Sequence, residues 1–141
     1  MLRLTKLTDY AIVILSEMAS NPAARLSSSQ LAAATGVNEP TVAKILKQLT
    51  CAQMIGSHRG VQGGYQLLTT GDKITMRQII EAIDGPIAIA DCVNGATGCS
   101  VKHKCRVRGN WDKVNNAIIG ALDGLTLGEM MQQQNMPVAA E

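Results

Sequence analysis

The chain contains no phenylalanine, and its aromatic side chains are limited to Tyr10, Tyr65 and Trp111. Its core must therefore be aliphatic, built from Ala, Leu, Ile and Met, a composition that favours helices. Long apolar runs are also missing: the longest near the start, Ala11–Leu15, is interrupted by Ser16 and Glu17. That run is too short for a signal-peptide core, and nothing approaches a membrane span. The expectation is a cytoplasmic protein with no membrane partner, in which thiols stay reduced and structural disulfides are rare. Catalytic signatures are lacking as well. There is no Cys-x-x-Cys, no phosphate-binding loop, no nucleophile–base pair and no carboxylate dyad, so no enzyme is expected. The formal net charge is only +2. It is uneven, however: residues 1–73 carry seven Lys/Arg against four Asp/Glu, and residues 74–141 carry six against seven. A mildly basic first half permits nucleic-acid binding.

What is present begins with helical spacing. Residues 8–20 place Ala11, Ile12, Leu15, Met18 and Ala19 on one face, which predicts an amphipathic helix capped near Thr8 and closed by Asn21-Pro22. Ser27-x-x-Gln30 is a capping box, with Leu26 placed to staple onto Leu31, and Gly36 is suited to end that second helix. Pro40 fits the first turn of a third helix, capped by Asn38 or Glu39 and running to about Leu49. Ala32, Gly36, Val42 and Ile45 have the spacing of a helix-turn-helix: a small residue for close approach, a glycine for the turn and two aliphatics to lock the second helix. An ordinary helical hairpin is the competing reading. Next, Met54–Leu68 reads as two short strands around a Gly-rich turn with His58 and Arg59 near its tip. A hairpin behind a helix-turn-helix is the wing of a winged helix, and an arginine at its tip can enter the minor groove.

The second half opens with another capping box, Thr75-x-x-Gln78, on a helix ended by Gly85-Pro86. Asp91–Cys105 follows, with Cys92, Cys99 and Cys105 spaced C-x6-C-x5-C among Gly, Asn, Thr and Ser. Three thiols on one polar loop signal a metal site. Zinc competes with an iron–sulfur cluster here, but the closely paired cysteines usual in zinc sites are absent. Lys102, Lys104, Arg106 and Arg108 would favour thiolates or simply be solvated. Beyond the loop, Trp111–Leu122 carries Val114, Ile118, Ile119 and Leu122 at helical spacing. This stripe suits a dimerisation helix or packing on its own domain. Thr126-x-x-Glu129 begins a last short helix, and residues 134–141 read as a disordered tail. The fold class expected is mainly α with a small β-hairpin. It divides into a winged helix-turn-helix DNA-binding domain (1–73) and a cluster-binding loop with C-terminal dimerisation helices (74–133).

The opening M-L-R-L-T-K-L-T-D-Y-A, the wing S-H-R-G-V-Q-G-G-Y-Q-L, the segment I-I-E-A-I-D-G-P-I and the three-cysteine loop followed by Trp111 resemble the Rrf2 family over about residues 1–133. That family comprises bacterial winged-helix repressors that sense iron–sulfur clusters. The likeness is nearest to regulators of iron–sulfur assembly, especially of the SUF operon, with nitric-oxide-sensing repressors second. The resemblance implies a homodimer on a double-stranded DNA operator, with a 2Fe-2S or 4Fe-4S cluster held by Cys92, Cys99 and Cys105. It also implies that Thr41 and Lys44 read the major groove and that Arg59 enters the minor groove. Lys47, Gln48 and His58 complete the expected DNA-binding set. One position departs: Arg108 stands where the assembly regulator has a ligating histidine, and a guanidinium cannot ligate. Asp9 aligns with the acidic ligand that the nitric-oxide sensor takes from its partner subunit. His103 is a rival ligand by proximity, and Cys51 is expected to be a buried structural thiol. A cluster or zinc carrier without DNA binding is the alternative from a different class.

Overall fold

The computed structural model describes residues 3–93, 99–101, 103–107 and 109–132. Among them the order is α1 (Lys6–Ser20), α2 (Ser28–Thr35), α3 (Glu39–Cys51), β1 (Ile55–His58), β2 (Gly64–Leu67), a 3-10 turn (Gly71–Lys73), α4 (Met76–Asp84), α5 (Asn110–Asp123) and α6 (Leu127–Gln132). The expected tail, 134–141, lies outside the described residues.

Local chemistry sets most boundaries. The Ser27 and Thr75 capping boxes both form, each hydroxyl accepting from the backbone N–H of the glutamine that bonds back to the cap. Asn38 caps α3 by accepting from the Thr41 N–H, and Gly36 adopts φ +75 to end α2. One expectation is corrected. Helix α1 begins before Thr8: Thr5 is the cap, accepting from the Thr8 N–H at 3.2 Å. Thr8 is itself fully buried, and its hydroxyl donates to Asp84 Oδ2 at 2.7 Å. Two cap-type residues of one kind stood three apart, and a long-range partner took the second.

The α3–β1 connection holds a feature without a glycine signal. Gln53 sits at φ +58, with its N–H donating to the Thr50 carbonyl and the Met54 N–H donating to that of Leu49. This is the helix-ending Schellman arrangement, in which a non-glycine residue pays a left-handed backbone penalty. Gln53→Gly is expected to stabilise the fold by about 0.5–1 kcal/mol, raising Tm by about 2–4 °C. A calorimetric scan showing a lowered Tm would contradict this.

The inner faces of α1, α2 and α3 meet through Ile14, Leu15, Leu31, Ile45, Leu46 and Leu49, all fully buried. Each such side chain contributes roughly 1.5–3 kcal/mol on burial. Helix α4 adds Ile79 and Ile83 to the same core, and α6 returns Leu127 to it. That return is fixed by backbone bonds: Met76 N–H to Leu125 O at 2.9 Å and Leu127 N–H to Ile74 O at 2.8 Å. The hairpin pairs Ile55 with Leu67 and His58 with Gly64. Leu26 extends it as a third partner, exchanging two backbone bonds with Tyr65 at 2.8 and 2.9 Å. Gly64 makes that possible, because a Cβ there would lie 2.9 Å from the Leu26 carbonyl oxygen. Leu26 therefore anchors the wing to the start of α2, beyond the staple expected of it.

Candidate functional site

Two surfaces carry the chemistry-bearing residues. The first is formed by α3 and the wing. Val42, Ile45, Leu46 and Leu49 bury the inner face of α3, which leaves Lys44 and Lys47 exposed and Thr41 half-exposed. His58 and Arg59 are exposed at the end of β1. The turn beyond them closes through the Gly63 N–H donating to the Gly60 carbonyl at 2.9 Å, and a Cβ at Gly63 would strike the His58 carbonyl oxygen. The tip thus depends on glycine for its tightness. Val61, between Gly60 and Gln62 at the same turn, is fully exposed.

Gln48 is corrected. Its side chain does not join the exposed lysines: Nε2 donates to the Ile83 carbonyl at the end of α4, at 3.3 Å, and Oε1 is buried without a partner. An unsatisfied buried acceptor costs roughly 1–3 kcal/mol. The physical reason lies in helix phase. Position 48 is one turn from Lys44 but borders the buried Ile45–Leu49 face, where α4 packs.

The second surface is the cysteine loop and its stem. Cys92, Cys99 and Cys105 are free and half-buried. Cys51 is also free but exposed, which corrects the expectation of a buried thiol. It lies two positions past Leu49, about 200° around the helix, and so faces away from the core. Among the described residues no three His, Cys, Asp or Glu side chains come together in a metal-holding group. Arg108 lies outside the described residues, as does Lys102. His103 and Asp9 are both exposed, and Asp9 stands beside Thr8 on α1. The donor chemistry, three free thiols on one polar loop, nonetheless fits a soft thiophilic group.

The loop's stem is fastened in a way the sequence did not announce. Asn115 on α5 is fully buried; its Nδ2 donates to Ile87 O at 3.0 Å and its Oδ1 accepts from Ile89 N–H at 3.1 Å. The amide pairs with the 87–89 backbone as a neighbouring strand would. Just before it, the Asp84 carboxylate accepts from Thr5 and Thr8 at 2.8 and 2.7 Å, tying α4 to the start of α1. Arg77 holds α4 to α5, donating to Asp123 at 3.0 Å and to Glu81 at 3.2 Å. Those hydrogen bonds, Asp123 first and Glu81 second, raise its guanidinium above the ordinary value.

On its outer face α5 presents Trp111 (43% exposed) and Val114 (45%), with Ile118 half-buried one turn on and Leu125 exposed beyond the helix. This three–four spacing of apolar residues forms a seam left uncovered among the described residues.

A helix-turn-helix braced by a two-stranded wing, with basic side chains on the free face of its second helix, defines a winged-helix DNA-binding regulator. Residues 4–133 match the Rrf2 family, described as iron-dependent transcriptional regulators, and the chain belongs to that family. Its members are transcriptional regulators, not enzymes. Similar proteins include protein aau3 of Rhizobium meliloti (strain 1021), 30% identical over 132 residues that span 93% of this chain and 86% of that protein. Among solved structures, CymR (YrzC), the global cysteine regulator of B. subtilis, superposes with a TM-score of 0.75 at 25% identity, covering 96% of this chain and all of that one. IscR of T. potens superposes with a TM-score of 0.70 at 24% identity over 98% of this chain and 94% of that one, a likeness of fold. No helix among the described residues is long and apolar enough to cross a membrane.

Proposed function

We propose that the protein is a homodimeric repressor of iron–sulfur cluster assembly genes, working in the cytoplasm and gated by a 2Fe-2S or 4Fe-4S cluster. The observation that carries this reading is the placement of three free, half-buried thiols on a loop between α4 and α5 of a winged helix. Residues 1–73 serve as the DNA-binding unit and residues 74–133 as the sensing and dimerising unit. Helix α3 lies in the major groove, where Thr41 and Lys44 meet base edges and Lys47 meets phosphate. The wing sends Arg59 into the minor groove, with His58 beside it on the backbone.

Cys92, Cys99 and Cys105 are the cluster ligands, and Asp9 of the partner subunit supplies the fourth. A carboxylate among thiolates is the harder and weaker donor, which favours a labile group suited to sensing. The chain's own contribution is the stem: Asn115 and Asp84 hold both its sides, so that ordering the loop between them bears on α1, α4 and α5 together. A change of about 100-fold in operator affinity needs only about 2.7 kcal/mol of differential binding.

Arg59→Ala tests the DNA-reading half. On a duplex selected by the wild-type protein from a random-sequence library, affinity is expected to fall about tenfold. The slope of log K against log salt should become shallower by about 0.9. The visible absorption of the cluster should stay unchanged. Wild-type affinity in this variant would remove the wing from the interface.

A further inference from the structure

We infer that Gln48 is a positioning residue for DNA binding: its amide joins the recognition helix to the end of α4 from which the cysteine loop departs. The inference rests on the proposed function and names the route by which the loop reaches the DNA-reading face. Gln48 Nε2 donates to the Ile83 carbonyl, 35 residues away in sequence. That carbonyl belongs to the last turn of α4, where the helix supplies no N–H of its own. The next residue, Asp84, takes the hydroxyls of Thr5 and Thr8, and Gly85 (φ +85) then turns the chain into the stem. Asn115 grips that stem at Ile87 and Ile89, and Cys92 follows three residues later. A displacement of the stem therefore acts on the end of α4, and the Gln48 amide bonds that end to α3.

Two features distinguish this contact from simple packing. The bond is long, at 3.3 Å, and so is weak and readily exchanged. The Oε1 atom is buried with no donor, although an aliphatic side chain of the same length would fill the space without stranding an acceptor. A small withdrawal of α4 that admits a donor to Oε1 relieves that deficit. The contact is therefore one that a shift of α4 can exchange for another. Lys44 is one turn before Gln48 and Lys47 is its neighbour, so any rotation at Gln48 moves both lysines against DNA.

Gln48→Met is the test, because it keeps side-chain length while removing both the donor and the stranded acceptor. The wild-type protein with and without its cluster, and the variant likewise, are titrated on the library-selected duplex. The variant is expected to keep its Tm while its ratio of cluster-loaded to cluster-free affinity moves at least about fivefold towards one. A second readout needs no cluster. By reciprocity, DNA should change hydrogen exchange of the backbone N–H groups within 85–93 in the cluster-free wild type but not in the variant. If Met lowers Tm, Gln48→Leu takes its place in both measurements. An unchanged ratio, or a DNA-induced change in exchange that persists in the variant, overturns the inference. A wild type that binds no duplex, or binds equally in both forms, fails the proposed function itself, whereas equal discrimination by wild type and variant fails only the Gln48 link.

Discussion

Alanine at Cys92, Cys99 or Cys105 is expected to abolish the visible charge-transfer absorption of the anaerobically purified protein, together with its iron and sulfide. Alanine at Cys51 should change none of the three. The contrast follows from position. Cys92, Cys99 and Cys105 share the polar loop between α4 and α5, whereas Cys51 ends α3 and points into solvent away from the core. The proposed ligand set is one thiolate short and has no spare donor, so each single loss should be complete rather than graded. Because all three cysteines lie outside the core cluster, Tm of the metal-free protein should be unaffected. Iron retained in any of the three single variants would remove that cysteine from the ligand set. Asp9→Ala is the finer form of the same experiment, expected to leave a cluster that is lost faster in air.

The second large effect concerns the seam on α5. Val114→Asp should convert the protein to a monomer and lower affinity for a two-half-site duplex by about 10²–10⁴, the usual gain from linking two binding units. Val114 is 45% exposed within the chain, so the substitution costs the protomer's own core little. In the proposed two-fold dimer the same position would face its equivalent region, so two carboxylates would enter one apolar seam. Sedimentation at micromolar concentration should show the monomer mass, with circular dichroism unchanged. A variant that still sediments as a dimer would place the interface elsewhere.

The parts of the fold legible in the sequence were those whose cause is local. Ser27-x-x-Gln30, Thr75-x-x-Gln78, Gly36 and the Gly-rich turn between two short strands each act within a few residues, and each forms as its pattern implies. The misplacements share the opposite character. Thr8 was an eligible cap until Asp84, 76 residues later, claimed its hydroxyl. Gln48 had the polarity of a surface residue, but α4 packs over it. Asn115 interrupts an apolar pattern without disclosing that it would pair with the 87–89 backbone. Gln53 carries a left-handed turn that glycine or asparagine usually advertises. At the candidate site the residue types were legible: three thiols, two exposed lysines and an arginine on a wing. Their connections were not, because those run through backbone carbonyls and amides at the end of α4 that no sequence pattern marks.

The central claim is that the cysteine loop governs DNA affinity, and one titration tests it most directly. Anaerobically purified protein and the same preparation stripped of iron are each titrated onto the library-selected duplex at fixed salt. A difference of at least about tenfold in Kd, equivalent to about 1.4 kcal/mol, is predicted, and it should vanish in Cys92→Ala. Equal affinities of the two wild-type forms, or a wild-type protein purified without iron and sulfide, would contradict it.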